Sequence, residues 1–525
     1  MKELNYKKHV ILLIAISAAI RSLLAIVINL GGEEAYYWTF ALFPELGSFD
    51  QPPMVGWFIQ LFTNNLALRG EFFLRLSSIA TGCANIWIIY IIGRRIKGEA
   101  AGFYSALLYS FSFYLSLVAG LFILPEGPQT FFYLLSLYFL LEGLIPRDKN
   151  CAESRMLCRM ALVLAGLFIG FATLSKFSSI LLWLGVAVYA ISNDRSLFKR
   201  SELYLAALVT LISLFPVLLW NLNNDFLGVE YLAGTMKLSG GLNLQAFLKG
   251  IFIPFLINNP VNLYIILKSL RAHSKSPFIS KEHFSLLLSL SLPIIVVSTV
   301  FSLVSESFIY ATSLGIIPFI IIAGSWLSTI HVKSKNLLDI KALRMSLYLF
   351  ATVVIIGLTH QNTGILNHLF TAKKEGYPIG RNDFTLDRYG MKTISYEFKK
   401  IRDIDIATGR ISAHSYIIEF DYKKAALKDY YLARPNNTFV KTWGPLSKVR
   451  KYKWITSKQG GIKLGESVYY VHSSRDGKDG IEFGHSNFKK VEVAKVIYLK
   501  KLGKPVIRYT IYRFKNLIND PSKSD

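Results

Sequence analysis

Cysteine is scarce in this sequence: Cys83, Cys151 and Cys158 are the only three among 525 residues. A disulfide framework is therefore not expected, and the cysteines lack the spacing of a zinc site. The chain also lacks an obvious internal repeat and a low-complexity segment. No small-x-small cleavage site follows the first apolar stretch at the expected distance, so we interpret residues 10–30 as an uncleaved membrane span and not as a signal peptide.

Apolar residues dominate instead. The chain is 52% hydrophobic and 14% aromatic, with a mean hydropathy of +0.38. Several stretches are long enough to cross about 30 Å of hydrocarbon, which predicts a polytopic α-helical membrane protein. The apolar stretches, separated from one another by charged residues, predict about eleven membrane spans. Their limits are 10–30, 72–92, 100–118, 128–145, 159–174, 177–192, 203–220, 246–267, 284–304, 307–330 and 342–360. Pro254 and Pro260 interrupt the eighth span and predict a kink there.

The short loops alternate between basic and nearly uncharged, as a serpentine topology requires. The basic set includes Lys7, Lys8, Arg94, Arg95, Arg155, Arg159, Arg200, Lys281 and Lys341. The other set has little beyond Arg69, Lys176 and Lys237. Because Lys and Arg accumulate in cytoplasmic loops, the N-terminus is expected inside, and an odd number of spans places the C-terminal part outside.

Composition changes near residue 361. Residues 1–360 are predicted to form the transmembrane domain, with a long outer loop at 31–71, and residues 361–525 a small extracytoplasmic α/β domain. The latter segment has 32 Lys and Arg against 16 Asp and Glu, so it carries most of the net charge of +25. Its surface is either simply solvated or attracted to anionic lipid headgroups. This charge is not interpreted as a nucleic-acid site.

The outer loop contains the stretch GGEEAYYWTFALFPELGSFDQPP. Its carboxylates Glu33, Glu34 and Asp50 lie where the chain leaves the first span. They are either solvated loop residues or functional groups at the membrane surface. The adjacent aromatic residues, which also suit an interfacial belt, are Tyr36, Tyr37 and Trp38.

Four further polar positions are predicted at the same face. Glu126 lies between prolines in LFILPEGPQTFF, where a plain turn residue is the alternative. Lys176, in TLSKFSS, is a lone lysine between two apolar runs, with snorkelling as the alternative. Arg75 either pairs with a carboxylate or phosphate or anchors a helix end. The stretch PVLLWNLNNDF adds Asn221 and Asp225.

Together these residues suit a reaction in which a hydroxyl attacks and a phosphate leaves. A carboxylate can act as general base on the hydroxyl, and cations can offset the charge of the leaving phosphate. No ligand spacing requires a metal, although a divalent ion near the carboxylates is compatible with the pattern.

Four of these stretches resemble a known family. GEEAYYW with FDQPPM is similar to the GDEAYYW…YFDHPPM first-loop signature of the bacterial dolichyl-phosphate-mannose protein mannosyltransferase family, whose relatives include the lipid A aminoarabinose transferases. LPEGPQTFF resembles its LPDxPLxFF, LSKFSSILL its LSKYTAxLL, and PVLLWNLNNDF its PVLxWNxxNDW. The motifs keep their order over about 220 residues, and Glu33 and Glu126 stand where the family usually has aspartate.

The resemblance implies a GT-C type glycosyltransferase of the bacterial inner membrane. Its donor would be a polyprenyl (undecaprenyl) phosphate sugar and its acceptor lipid A, another glycolipid or glycan, or a protein Ser/Thr. It implies the general base in the first loop, at Glu33, Glu34 or Asp50, and the donor phosphate near Arg75, Glu126 and Lys176. The aromatic residues, Asn221 and Asp225 would flank the substrate cavity. A flippase for lipid-linked sugars and a non-catalytic envelope assembly factor are the alternatives.

Overall fold

We analysed a computed structural model of the chain, which describes residues 5–146, 152–235, 243–305, 310–331, 340–367, 383–477 and 479–519. The chain folds into two compact units. The first, the membrane unit, consists of Met1–Val27 and Phe40–Thr352. The second, the C-terminal unit, consists of Ile28–Thr39 and Val353–Asp525, so it includes part of the predicted outer loop.

Sixteen helices lead from the N-terminus to residue 363 of the described chain. They are α1 Tyr6–Val27, α2 Gly32–Leu42, α3 Met54–Phe62, α4 Glu71–Lys97, α5 Glu99–Ser110, α6 Glu126–Leu144, α7 Ala152–Ser175, α8 Leu181–Asn193, α9 Ser201–Ser213, α10 Phe215–Leu222, α11 Leu227–Thr235, α12 Leu244–Ile257, α13 Pro260–Lys275, α14 Lys281–Phe301, α15 Thr312–His331 and α16 Lys341–Thr363. Each of the eleven predicted spans coincides, in its described residues, with a helix or with two consecutive helices; residues 307–309 of the tenth span lie outside the described residues. The sequence pattern therefore predicts where the helices lie.

Six of the described helices are long and apolar enough to cross a membrane, or up to eight if each bent pair is one span. This number is below eleven because other predicted spans form helices that are short, as α5 and α8 are, or that begin with polar residues, as α6 does. The bent pairs are α9 with α10, at 44°, and α12 with α13, at 95°. The second bend lies between Pro254 and Pro260, where the prolines predict it.

The centre of the membrane unit is formed by α4, α5 and α15, whose buried side chains belong to one apolar core. In the 18-residue apolar stretch of α15, 78% of the residues are buried, whereas the corresponding share is only 22% in α1 and 11% in α16. Close backbone approach holds α4 against α5, since a Cβ atom on Gly93 would lie 2.8 Å from the Cα of Gly102. The weakly buried helices leave their apolar side chains for lipid contact.

The C-terminal unit is a small α/β domain, as predicted. Its strands are β1 Ile417–Glu419, β2 Val440–Thr442, β3 Val468–Ser473, β4 Phe488–Lys501 and β5 Lys504–Leu517. They form one sheet in the order β2-β1-β3-β5-β4. The pairs β1–β2 and β1–β3 are parallel, whereas β5 is antiparallel to β3 and β4. The helices of this unit are α17 Met391–Ala407, α18 Tyr422–Lys428, α19 Leu446–Val449, α20 Tyr452–Lys458 and α21 Asp479–Asn487.

Candidate active site

An ion pair joins two of the motifs in the membrane unit. The ammonium of Lys176 lies 2.7 Å from Oε1 of Glu126, and their side chains are 20% and 12% exposed. Glu126 begins α6 directly after Pro125. Lys176 has an extended backbone between the end of α7 and a 3-10 turn, Phe177–Ile180. Both charges therefore lie where regular helix begins or ends, and ion pairing lowers the cost of their burial.

A second contact connects the same two motifs. The side-chain amide of Gln129, one turn into α6, donates to Ser178 Oγ at 3.1 Å and to Ser179 Oγ at 2.8 Å. Gln129 and Ser179 are buried, so both partners satisfy polar groups that water does not reach. The LPEGPQ and LSKFSS stretches are thus held together by an ion pair and two side-chain hydrogen bonds.

Arg75 is fully buried in α4. Its Nη1 donates to the carbonyl oxygen of Ala25 at 3.1 Å, in the last turn of α1, and its Cζ lies 5.8 Å from the centre of the Phe122 ring. A cation at a helix C-terminus satisfies an otherwise unpaired carbonyl and interacts favourably with the helix dipole. The structure thus gives Arg75 the helix-anchoring contact. One turn later Ser78 donates to the carbonyl of Phe122 at 2.8 Å, so α4 contacts the turn that precedes Glu126.

Asp50 is buried and accepts a hydrogen bond from Ser48 Oγ at 3.0 Å. Four residues later, Met54 begins α3 and packs in one apolar cluster with Phe132, Ala172 and Leu174. These three residues lie within two helical turns of Glu126 or Lys176. The FDQPPM stretch is therefore attached to the helices that carry the ion pair.

The WNLNND stretch is attached to the segment before Asp50. Trp220 Nε1 donates to Glu45 Oε2 at 3.3 Å, and the Phe49 and Tyr231 rings meet edge to face at 4.8 Å. The Asn221 amide donates to Val217 and accepts from Val229, so this side chain stabilises a turn.

Asp225 is exposed and has a φ of 51°, in the left-handed region that Asp tolerates better than most residues. Its predicted place at the substrate cavity therefore competes with a purely conformational reason for its presence.

The two first-loop glutamates belong to the C-terminal unit. Glu33 Oε1 lies 2.8 Å from the ammonium of Lys423 and accepts a hydrogen bond from Tyr422 at 3.2 Å. Glu34 is fully buried, accepts from the backbone N–H of Gly31 at 3.1 Å and lies 3.5 Å from Arg388 Nε. Each glutamate thus has a cationic partner, and Glu33 is the more exposed of the two.

The aromatic residues that follow also pack inside the C-terminal unit. The Tyr36 ring lies 4.6 Å from that of Tyr422, and the Trp38 ring lies 5.1 Å from that of Tyr430. Tyr36 and Tyr37 contact each other at 5.7 Å. All three first-loop aromatics are at least 93% buried, which favours a packing role over an interfacial belt. Burial, together with the charge of Glu33, raises the pKa of Tyr422, so its hydroxyl stays protonated and able to donate.

Sequence reasoning missed a buried arginine inside the first span. Arg21 is 2% exposed, and its guanidinium donates to the carbonyl and the hydroxyl of Ser116 at 3.2 and 3.4 Å. Gly82 and Gly120 make room for it, since a Cβ atom on either would lie within 3 Å of its nitrogens. Ser116 belongs to a π-helical turn, Tyr114–Val118, shortly before Glu126. An arginine in the middle of a 22-residue apolar helix is the signal that identifies such a residue.

No group of three or more His, Cys, Asp or Glu side chains that could hold a metal ion occurs among the described residues. Among the described residues of the membrane unit, Glu126 and Lys176 are two predicted site residues that form an ion pair with each other.

These features define the class of protein: a polytopic membrane protein with the GT-C fold and a C-terminal α/β unit. The structure matches that of ArnT from Cupriavidus metallidurans bound to undecaprenyl phosphate, with a TM-score of 0.63 and 14% identity, over 96% of this chain and 98% of that one. The apo state of the same protein matches over the same shares with a TM-score of 0.62 and 14% identity.

The sequence model of the dolichyl-phosphate-mannose-protein mannosyltransferase family matches residues 50–220, which include the LPEGPQTFF and LSKFSSILL stretches. This match agrees with the resemblance that the motifs predict. A curated relative is the lipid A galacturonosyltransferase RgtD of Rhizobium johnstonii, 23% identical over 284 residues. The alignment covers 53% of this chain and 56% of the relative, so the chain matches little more than half of that protein's length.

Proposed function

We propose that this protein is a glycosyltransferase of the bacterial inner membrane that takes its sugar from a polyprenyl (undecaprenyl) phosphate. The acceptor is lipid A, another envelope glycolipid or glycan, or a protein Ser/Thr on the outer face. The names of the two relatives support this choice: one transfers galacturonic acid to lipid A, and the other was crystallised with undecaprenyl phosphate.

The observation that carries the proposal is the assembly of four motifs within the membrane unit. The Lys176–Glu126 ion pair joins two of them, and the packing of Met54 and the Trp220–Glu45 hydrogen bond attach the other two. The Lys176 and Glu126 charges meet at helix ends, where the backbone is irregular. A flippase is less well supported, because transporters bind their cargo near the midplane between repeated halves.

In the proposed reaction an acceptor hydroxyl attacks the anomeric carbon of the donor sugar. The bond from that carbon to the phosphate oxygen breaks, polyprenyl phosphate leaves, and the hydroxyl proton passes to a carboxylate. Lys176, with Arg75 as the second predicted cation, stabilises the phosphate as it gains charge. A single displacement of this kind inverts the configuration at the anomeric carbon.

The carboxylate that accepts the proton is Glu33, Glu34 or Asp50. Glu34 is the weakest candidate, because full burial beside Arg388 and a backbone N–H leaves it little access to a substrate. Both contacts of Glu33 fall on Oε1, and its side chain is 40% exposed, so it is better suited to accept a proton. Asp50 is the candidate within the membrane unit.

The test is sugar transfer by the purified full-length protein in detergent. Undecaprenyl phosphates carrying aminoarabinose, galacturonic acid or mannose are offered with lipid A as acceptor, and the product is identified by mass spectrometry. Loss of a proton acceptor is expected to lower kcat by about 10²- to 10⁴-fold. The variants are Glu33→Gln, Glu34→Gln and Asp50→Asn, with Glu230→Gln, an exposed carboxylate outside these motifs, as the matched control.

Transfer that survives all three substitutions would exclude the assigned carboxylates. Transfer that fails with every donor, while labelled lipid-linked sugar crosses the bilayer of proteoliposomes, would favour the flippase. Failure of both would favour an assembly factor.

A further inference from the structure

A cavity of about 940 Å³ opens at the end of the membrane unit that carries the basic loops. It is bounded by the end of α6, the start of α7, the end of α8 and the starts of α9 and α14. Its volume lies at the upper end of the usual range for ligand sites.

The lining combines charged and apolar side chains. Its four cations are Arg155, Arg159, Arg200 and Lys281, and its three carboxylates are Asp194, Glu202 and Glu282. The apolar contribution comes from Leu144, Ile145, Pro146, Leu162 and Tyr189. Such a lining suits a ligand with a charged head and an apolar body.

Two ion pairs neutralise part of the charge of the cavity lining. Arg159 Nε lies 2.6 Å from Glu202 Oε1, across from α7 to α9, and Arg200 lies 3.9 Å from Asp194. Arg155 and Lys281 have no ion-pair partner among the described residues, and both are exposed. Glu282 also lines the cavity, so four cations face three carboxylates and the net charge of the lining is positive; Arg155 on α7 and Lys281 on α14 are the two cations outside these ion pairs.

The cavity lies far from the candidate active site. Glu126 begins α6, whereas Leu144, its last residue, lines the cavity. Since an α-helix rises 1.5 Å per residue, these two ends are about 27 Å apart, close to the thickness of the hydrocarbon core. The cavity and the Glu126 end of the candidate site are thus at opposite ends of α6.

We propose that this cavity binds the anionic headgroup of a phospholipid from the leaflet that faces the basic loops. The phosphate lies between Arg155 and Lys281, and the apolar residues contact the first part of the acyl chains. Basic pockets between membrane helices on the cytoplasmic side recognise anionic lipid headgroups by the same chemistry. The site is independent of the proposed sugar transfer.

The test measures lipid binding to the purified full-length protein by native mass spectrometry, so it does not depend on activity. Phosphatidylglycerol and phosphatidylethanolamine with identical acyl chains are compared, and inorganic phosphate is added as a soluble competitor. Wild type is expected to bind phosphatidylglycerol more tightly. Each cation near a membrane surface changes the affinity for anionic lipid about five-fold, so the double variant Arg155→Gln/Lys281→Gln should weaken it about 25-fold.

The double variant Lys7→Gln/Lys8→Gln is the matched control, because it removes two exposed cations from the same predicted face without touching the cavity. It should bind phosphatidylglycerol as the wild type does. Equal affinities of wild type and the cavity variant for phosphatidylglycerol would overturn the proposal. So would binding of inorganic phosphate that depends on Arg155 and Lys281 without any preference for phosphatidylglycerol.

Discussion

Exchanging the charges of Glu126 and Lys176 separates their structural role from their functional one. The pair has an N–O distance of 2.7 Å and side chains only 12% and 20% exposed. Breaking a buried ion pair costs about 3–5 kcal/mol, and an exposed pair contributes about 0–1 kcal/mol. With this degree of burial, we expect Glu126→Gln and Lys176→Gln each to destabilise the membrane unit by about 2–4 kcal/mol.

The exchanged variant Glu126→Lys/Lys176→Glu restores an attractive pair. Lysine in the first turn of α6 opposes the helix dipole, at a cost of about 0.3–1 kcal/mol. Its stability should therefore recover to within about 1–2 kcal/mol of wild type. Binding of undecaprenyl phosphate should not recover, because a carboxylate at position 176 repels the phosphate that lysine is proposed to attract.

Apparent unfolding midpoints in detergent report stability, and native mass spectrometry reports undecaprenyl phosphate binding without requiring the sugar to be known. We expect the exchanged variant to be nearly as stable as wild type and to bind the lipid at least ten-fold more weakly. An exchanged variant that is stable and binds the lipid as tightly as wild type would refute the role of Lys176. One that is as unstable as the single variants would refute the reasoning about the pair.

Two further predictions concern single carboxylates. The substitution Asp225→Asn keeps a residue that tolerates positive φ and removes only the charge. Unchanged sugar transfer would show that Asp225 has a conformational role. A loss of ten-fold or more in kcat/KM would place its charge at the substrate. Burial raises the pKa of Asp476, but the charges of Lys428 and Lys424 outweigh burial, so the pKa lies below its usual value. The Nζ of Lys424 lies 2.7 Å from Oδ1 of Asp476. Because its folded pKa lies below the unfolded one, its stabilisation is present above about pH 4 and is lost as the pH falls through the folded pKa. The unfolding midpoint of Asp476→Asn should therefore fall less than that of wild type between pH 7 and pH 3; an equal fall would contradict the assignment.

Local patterns explain why the helices were predictable. Hydropathy is a property of neighbouring residues, so the eleven windows coincide with helices in the described residues, and Pro254 and Pro260 mark the sharper of the two bends between paired helices. The α/β character of the C-terminal unit was equally visible, because strands such as β4 and β5 read as runs of β-branched and aromatic residues. Hydropathy could not show that some windows would form helices too short to cross a membrane alone.

The pairings within the site were not predictable in the same way. The order of the motifs along the chain predicts that Glu126 and Lys176 lie at the same end of the helix bundle. Their direct contact depends on how α6 and α7 are aligned along their axes, which the sequence does not show. Arg21 was overlooked because a single cation barely changes the mean hydropathy of its helix, although its hydrogen bonds to Ser116 hold irregular backbone before Glu126. The partners of Glu33 and Glu34 lie more than 350 residues away, at a distance in sequence that no local pattern spans.

These distant partners change how the first-loop signature should be understood. Glu33 is held by Lys423 and Tyr422, and Glu34 by Arg388, all within the C-terminal unit. In contrast, the second half of the signature, from Asp50 to Met54, packs in the membrane unit. Without the C-terminal unit, the buried carboxylate of Glu34 would lose its cationic partner and the first-loop aromatics their packing partners, and both losses are costly. We therefore expect residues 28–39 to need the rest of this unit, Val353–Asp525, for their native conformation, so that removing Val353–Asp525 would alter the signature even though every residue of the signature remained.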